Sequence, residues 1–172
     1  MVTKNICCTK SQFFKSWNIF GCVLGAVIIT ILLTAAIMSA QSRKPQNLPV
    51  KGILKVGAEE IQLEYAETLE QKKLGLSYRK TLPTNRGMLF INEAPTLVSL
   101  WTYGMNQSID ILFLDSSNKI VKVVNDAAPC RIKKLCTIYS ETASKVLEIP
   151  ANLNFSAFSV GEKLSIYNIQ SH

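Results

Sequence analysis

Apolar positions follow two regimes along this chain. From Ile19 to Ala40 (IFGCVLGAVIITILLTAAIMSA) they run on without a charge, whereas beyond Gln41 they come in short bursts separated by polar turns. A helix of the first run rises about 33 Å, enough to cross a hydrocarbon core of roughly 30 Å. The pattern predicts a cytoplasmic tail over 1–18, a transmembrane signal anchor over 19–40, a Pro-containing linker over 41–50 and one globular domain over 51–172. A secretory signal has a shorter apolar core, about 7–15 residues, and small residues at its cleavage site. Here bulky Met38 stands where a small residue is needed, so the anchor is expected to stay uncleaved.

Within the domain, Ile53–Val56 and Glu60–Tyr65 flank Gly57-Ala58 and read as a hairpin. Ile61, Leu63 and Tyr65 point one way, and Glu60, Gln62 and Glu64 the other. Thr68 followed by Gln71 is a capping-box signal, which predicts a short helix from Leu69 to about Leu76. Further strands are expected at Met88–Ile91, Leu97–Trp101, Ile109–Leu114, Ile120–Val124, Lys145–Ile149 and Lys163–Tyr167, separated by turns such as NEAP and DSSNK. Many short strands with one helix argue for a mainly β fold, a compact antiparallel β-sandwich or small barrel with one short helix, preceded by the transmembrane helix.

Charge orients this picture only weakly. Lys4, Lys10 and Lys15 precede the apolar run, and Arg43, Lys44, Lys51 and Lys55 follow it, so the positive-inside counts nearly cancel. Cysteines tip the balance. Cys130 and Cys136 are the two in the domain, and they could close a disulfide if it faces an oxidising compartment. A redox-active pair would be expected to show the C-x-x-C spacing, which they lack. The expected location is therefore the cell (inner) membrane, with the domain periplasmic or extracellular. Cys7 and Cys8 are read as reduced cytosolic thiols. The basic cluster Arg131, Lys133 and Lys134 lacks interleaved aromatics, so no nucleic-acid partner is expected; a solvated loop near anionic headgroups is the simpler reading.

Candidate chemistry is sparse. The sole histidine is His172, the final residue, which excludes Ser–His–Asp and Cys–His catalysis and any His-based metal site within the chain. There is no phosphate-binding glycine loop or dinucleotide fingerprint, so no cofactor and no metal are expected. Asp110 is the leading carboxylate: in the strand Ile109–Asp115 it shares a face with Leu112 and Leu114, while Ile109, Ile111 and Phe113 line the other. Such a carboxylate needs a partner. Glu148, between Leu147 and Ile149, is read as facing solvent.

Several segments together resemble the DUF192 family over roughly Ile53 to Tyr167. They are Gly75-Leu76 with Arg79, Gly87-Met88-Leu89-Phe90, the stretch Trp101–Asp115 (WTYGMNQSIDILFLD), Pro129-Cys130 with Cys136 and Tyr139, Val146–Ala151 (VLEIPA), and Gly161-Glu162. Ser77, Ser108 and Asn152 depart from the family pattern, replacing its usual Met, Pro and Gly. The resemblance implies a compact, mainly β domain, often exported or membrane-tethered, with no established activity. Because Arg79 and Asp110 both belong to matched motifs, Arg79 is the partner expected for Asp110, either as a structural ion pair or as part of a polar wall. That wall, Arg79, Trp101, Tyr103 and Asp110, would take a small polar ligand, with Trp101 and Tyr103 supplying stacking area.

The leading functional expectation is a non-catalytic binding or envelope-accessory module that contacts an unknown protein or small polar ligand, with the lipid bilayer engaged through 19–40. One alternative is a carboxylate-dependent enzyme using Asp110 with Arg79 or Tyr103. Another is a subunit of a membrane assembly, an oligomer paired through the Gly21–Gly25 G-x-x-x-G.

Overall fold

The period-two bursts of the domain become seven strands of one sheet. The computed structural model describes residues 10–41, 44–151, 153 and 158–169, with the side chains of the first stretch described over 23–38. Cys7, Cys8, Asn152 and His172 lie outside the described residues. The chain divides into two units, Met1–Lys44 and Pro45–His172.

Among the described residues, the first unit holds one helix, α1 (Lys10–Gln41), which runs through the apolar stretch. Its described aliphatic side chains, Leu32 and Ile37 among them, are exposed. Among the described residues no helix is long and apolar enough to cross a membrane.

The second unit comprises β1 (Val50–Val56), β2 (Glu59–Ala66), α2 (Leu69–Leu74), β3 (Arg86–Leu100), β4 (Ile109–Leu114), β5 (Ile120–Ala127), a 3-10 turn at Lys133–Leu135, β6 (Tyr139–Pro150) and β7 (Ser165–Asn168). Their order in the sheet is β5-β4-β6-β3-β2-β1-β7. The β1–β2 hairpin turns at Gly57, whose φ of 60° is left-handed and suits a residue without a Cβ. The capping box forms as the sequence predicts: Gln71 N–H donates to Thr68 Oγ1, and Gln71 Oε1 accepts from Thr68 N–H. The helix stops at Leu74 because Gly75 takes φ 50°.

Two expectations are corrected. Among the described residues the domain is one open sheet rather than an antiparallel sandwich or barrel, since all seven strands join in a single order, and the sheet is mixed because β2 and β3 run parallel. The connection through α2 carries the chain back to the starting end of the sheet, which a tight hairpin cannot do. In addition, NEAP does not separate two strands. Arg86–Leu100 is one strand that pairs with β6 on both sides of a bulge, Ile91 facing Lys145 and Thr96 facing Ala143. Pro95 lacks an N–H, and a bulge is where a sheet tolerates that loss.

Both faces of the sheet carry a core. Ile61, Leu63, Leu89, Leu112, Leu114, Leu147 and Ile149 pack on one face. Met88, Ile109, Ile111, Phe113, Val146 and Ala66 pack on the other, with Leu76, Leu82 and Met105 supplied by the segments around them. The alternation read along β4 is therefore realised, and both of its faces are buried.

Candidate functional site

The second core contains charge. Glu64 of β2 pairs with Met88 of β3, which pairs with Glu148 of β6, which pairs with Ile111 of β4. In-register partners share a face, so two carboxylates stand on one row of the sheet, one strand apart, about 10 Å between backbones. Both are buried, Glu64 at 3% exposure and Glu148 at 5%. The reading of Glu148 as a solvent-facing residue is thus corrected: β6 is an interior strand, and the face opposite Leu147 is covered too.

Arg79, in the segment after α2, answers one of these carboxylates. Its Nη1 and Nη2 donate to Glu64 Oε1 and Oε2 at 2.8 and 2.6 Å, a buried two-pronged ion pair. Leu48 N–H adds a bond to Oε2 at 2.7 Å, and Arg86 Nη1 lies 3.8 Å from Oε1. Burial alone would push the Glu64 carboxyl up. The Arg79 hydrogen bonds, the Leu48 amide and the two arginine charges outweigh it and hold the group below its ordinary range. Arg79 Nε is buried and makes no hydrogen bond to any described residue.

Glu148 has no such partner: among the described residues its carboxyl makes no hydrogen bond. Burial pushes it up to about 8, and the Arg79 charge pulls it back only in part. At neutral pH it is a carboxylic acid, able to donate a hydrogen bond.

This group opens onto a cavity of about 260 Å³ between α2 with its following turn, the far half of β3, and β6. Phe90, Leu100, Met105 and Val146 supply apolar wall, and Trp101, 41% exposed, stands on its border. Lys72 and Asn92 also line it. Lys72 Nζ donates to Asn92 Oδ1 at 3.2 Å, which orients the amide, while Asn92 Nδ2 is buried and makes no hydrogen bond to any described residue. The hydroxyl of Ser77, on the same lining, is committed to Tyr103 O at 2.9 Å. Several side chains on this lining can donate to a guest: Asn92 Nδ2, the remaining N–H bonds of the Lys72 ammonium, Lys73, and Glu148 in its protonated form.

The residues named from sequence are not gathered into one wall. Arg79 pairs with Glu64 and not with Asp110. The Asp110 carboxylate instead accepts the N–H of Asp126 at 2.8 Å, and Asp126 adopts a left-handed φ of 50° at the end of β5. Burial raises the Asp110 carboxyl, that amide bond lowers it, and the nearby Asp126 charge raises it again, for a net upward shift. Tyr103 packs edge-on against Tyr78, ring centroids 6.3 Å apart, and bridges to Cys130 through its backbone. Gly104 takes φ 75° where a Cβ would press on the Tyr78 ring, so the bend needs glycine. Of the four, Trp101 alone lines the cavity. Glu64, Asn92 and Glu148 are the additions that sequence reading missed.

Cys130 and Cys136 are joined in a disulfide, with Cα atoms 5.5 Å apart. The closed loop is stitched to the bend before β4. Gly104 N–H donates to Cys130 O at 2.9 Å, Cys130 N–H to Thr102 O at 3.1 Å, and Thr102 Oγ1 to Ala128 O at 2.6 Å. Lys133 Nζ lies 5.0 Å above the Trp101 ring, so the loop reaches the border of the cavity.

Comparison with known proteins agrees on the fold. The model of the DUF192 family, described as an uncharacterised ACR family, matches residues 52–166. No curated protein matches the chain. The crystal structure of a protein of unknown function from Novosphingobium aromaticivorans DSM 12444 is 22% identical, with a TM-score of 0.54, over 61% of this chain and 76% of that one. A protein of Sinorhizobium meliloti 1021, to which a transcription-regulator role has been ascribed, is 21% identical with a TM-score of 0.58, over 73% of this chain and 98% of that one. At these identities the likeness concerns the fold alone.

Proposed function

The chain belongs to the DUF192 family, and from that premise we propose that it is a membrane-anchored, extracytoplasmic binding module whose cavity takes a small organic acid. The guest would have an apolar body against Phe90, Leu100 and Trp101, with its carboxylate or carbonyl end among the donors of Lys72, Asn92 and Glu148. The observation that carries this reading is a buried amide nitrogen without a hydrogen bond among the described residues, Asn92 Nδ2, in the same cavity as the buried Glu148 carboxyl. Buried polar atoms left without partners are costly, and a guest supplying acceptors removes that cost. The lining holds no nucleophile–base pair, which favours binding over turnover.

The anchored part of the reading rests on the uncharged run 19–40. The extracytoplasmic part rests on the Cys130–Cys136 disulfide, since such bonds persist in oxidising compartments. A second reading has one observation in its favour: a neutral, buried glutamic acid is also what a general acid requires. In an enzyme of that kind Glu148, not Asp110, would be the acid.

The test uses the full chain in detergent micelles with a panel of short aliphatic and aromatic monocarboxylates, followed by ligand-observed NMR and calorimetry. Binding is expected near pH 6 and should weaken as pH rises past about 8, where an ionised Glu148 repels the anion. Asn92→Ala should weaken it about tenfold, the loss of one hydrogen bond to a charged group. If no panel member binds, or if binding ignores both pH and Asn92, the proposal falls. Consumption of a bound acid by the native chain but not by Glu148→Gln would favour the enzyme.

A further inference from the structure

Among the described residues, the loop closed by Cys130 and Cys136 presents a surface unlike the rest of the domain. Ile132, Leu135 and Ile138 are 61%, 75% and 61% exposed. Arg131, Lys133 and Lys134 are interleaved with them, and no acidic residue occurs from Ala127 to Ser140. Single exposed aliphatics are ordinary on protein surfaces. Three within seven residues, interleaved with cations on one short segment, form a patch.

The disulfide-closed loop has little freedom to hide Ile132 and Leu135, and Ile138 follows it, next to the start of β6. The disulfide joins the loop's ends, Leu135 N–H donates to Ile132 O at 2.8 Å, and Cys130 is tied to Thr102 and Gly104. Aliphatic side chains among cations suit a surface that is apolar below and anionic above. An acidic protein would meet the charges but would have to supply its own apolar socket, and nucleic acid would call for stacking aromatics.

We propose that the 130–138 loop is a lipid-contacting lobe that seats Ile132, Leu135 and Ile138 in the interface of an anionic bilayer, with Arg131, Lys133 and Lys134 at the headgroup phosphates. The proposal goes beyond the cavity and does not depend on it; it takes from the anchored reading only that a bilayer is at hand.

The test reconstitutes the full chain in nanodiscs of phosphatidylcholine alone or mixed with phosphatidylglycerol. Leu135→Trp is compared with Val160→Trp, a substitution at another exposed aliphatic position outside the loop, 67% exposed. Each spectrum is read as the difference from the parent chain, which carries Trp17 and Trp101; in anionic discs carrying brominated acyl chains, the indole introduced at 135 should emit further to the blue and lose most of its emission, while the one at 160 should not. Added salt, or neutralising Arg131, Lys133 and Lys134 together with glutamine, should abolish the difference between the two lipid compositions. Equal quenching at 135 and 160 in both compositions overturns the proposal and leaves the loop to a protein partner. A chain that does not enter discs overturns the anchored reading instead. The lobe is then judged on added phosphatidylglycerol vesicles, where selective quenching at 135 upholds it and its absence overturns it.

Discussion

Glu148→Gln should stabilise this protein, and by an amount that grows with pH. The side chain lies on an interior strand with 5% of its surface exposed and makes no hydrogen bond among the described residues. Its carboxyl is held near 8 in the folded chain against an ordinary value of 4.5. A raised folded value means that the native state keeps the proton after the unfolded chain has released it. Stability from this group is therefore complete below about 4.5 and is lost as pH rises to about 8. At pH 7 the gap is about 2.5 pK units, about 3 kcal/mol at 1.36 kcal/mol per unit, and at full ionisation the loss is about 5 kcal/mol. Glutamine preserves the shape and stays neutral throughout. In thermal melts of the full chain in detergent micelles, native and variant should nearly coincide at pH 5. By pH 7 they should separate by roughly 10–15 °C, with the variant melting higher. Near-ultraviolet circular dichroism from pH 5 to 8.5 reads this directly. Other groups cancel because both proteins carry them. Parallel stability profiles would refute the reasoning, since they would mean that Glu148 meets water or a partner that keeps it ionised.

Two further outcomes test the polar interior. Arg79→Met leaves the Glu64 carboxylate buried with the Leu48 amide and a distant Arg86, and should cost about 3–5 kcal/mol in denaturant titrations; the double change Arg79→Met with Glu64→Leu should recover most of that loss. Asp110→Asn should cost about 1 kcal/mol or less, because the amide oxygen still accepts the Asp126 N–H, while Asp110→Leu should cost clearly more and disturb the amide exchange of Asp126.

Local signals carried the sequence reading far. Strand positions follow period-two alternation, the α2 start follows a hydrogen bond between residues three apart, and Gly57 takes the left-handed φ that its hairpin turn favours. The two cysteines that could pair do pair. All of these are decided within a few residues, by sterics and short-range hydrogen bonding. The polar interior was not legible in the same way. Alternation placed Glu148 opposite Leu147 correctly, but whether that face meets water depends on β6 lying between β3 and β4 under a second core. Likewise Glu64 alternates with apolar neighbours and reads as exposed until the parallel β2–β3 pairing and the returning segment bring Arg79 over it.

Alternation, capping, bending and cross-linking were legible before folding, because those properties belong to neighbours along the chain. Which carboxylates lost their water, which of them received Arg79, and where a cavity remained were settled by how distant segments pack. Desolvation and ion pairing depend on what lies across the sheet, and strand order, unlike periodicity, is set by contacts between segments far apart in the chain.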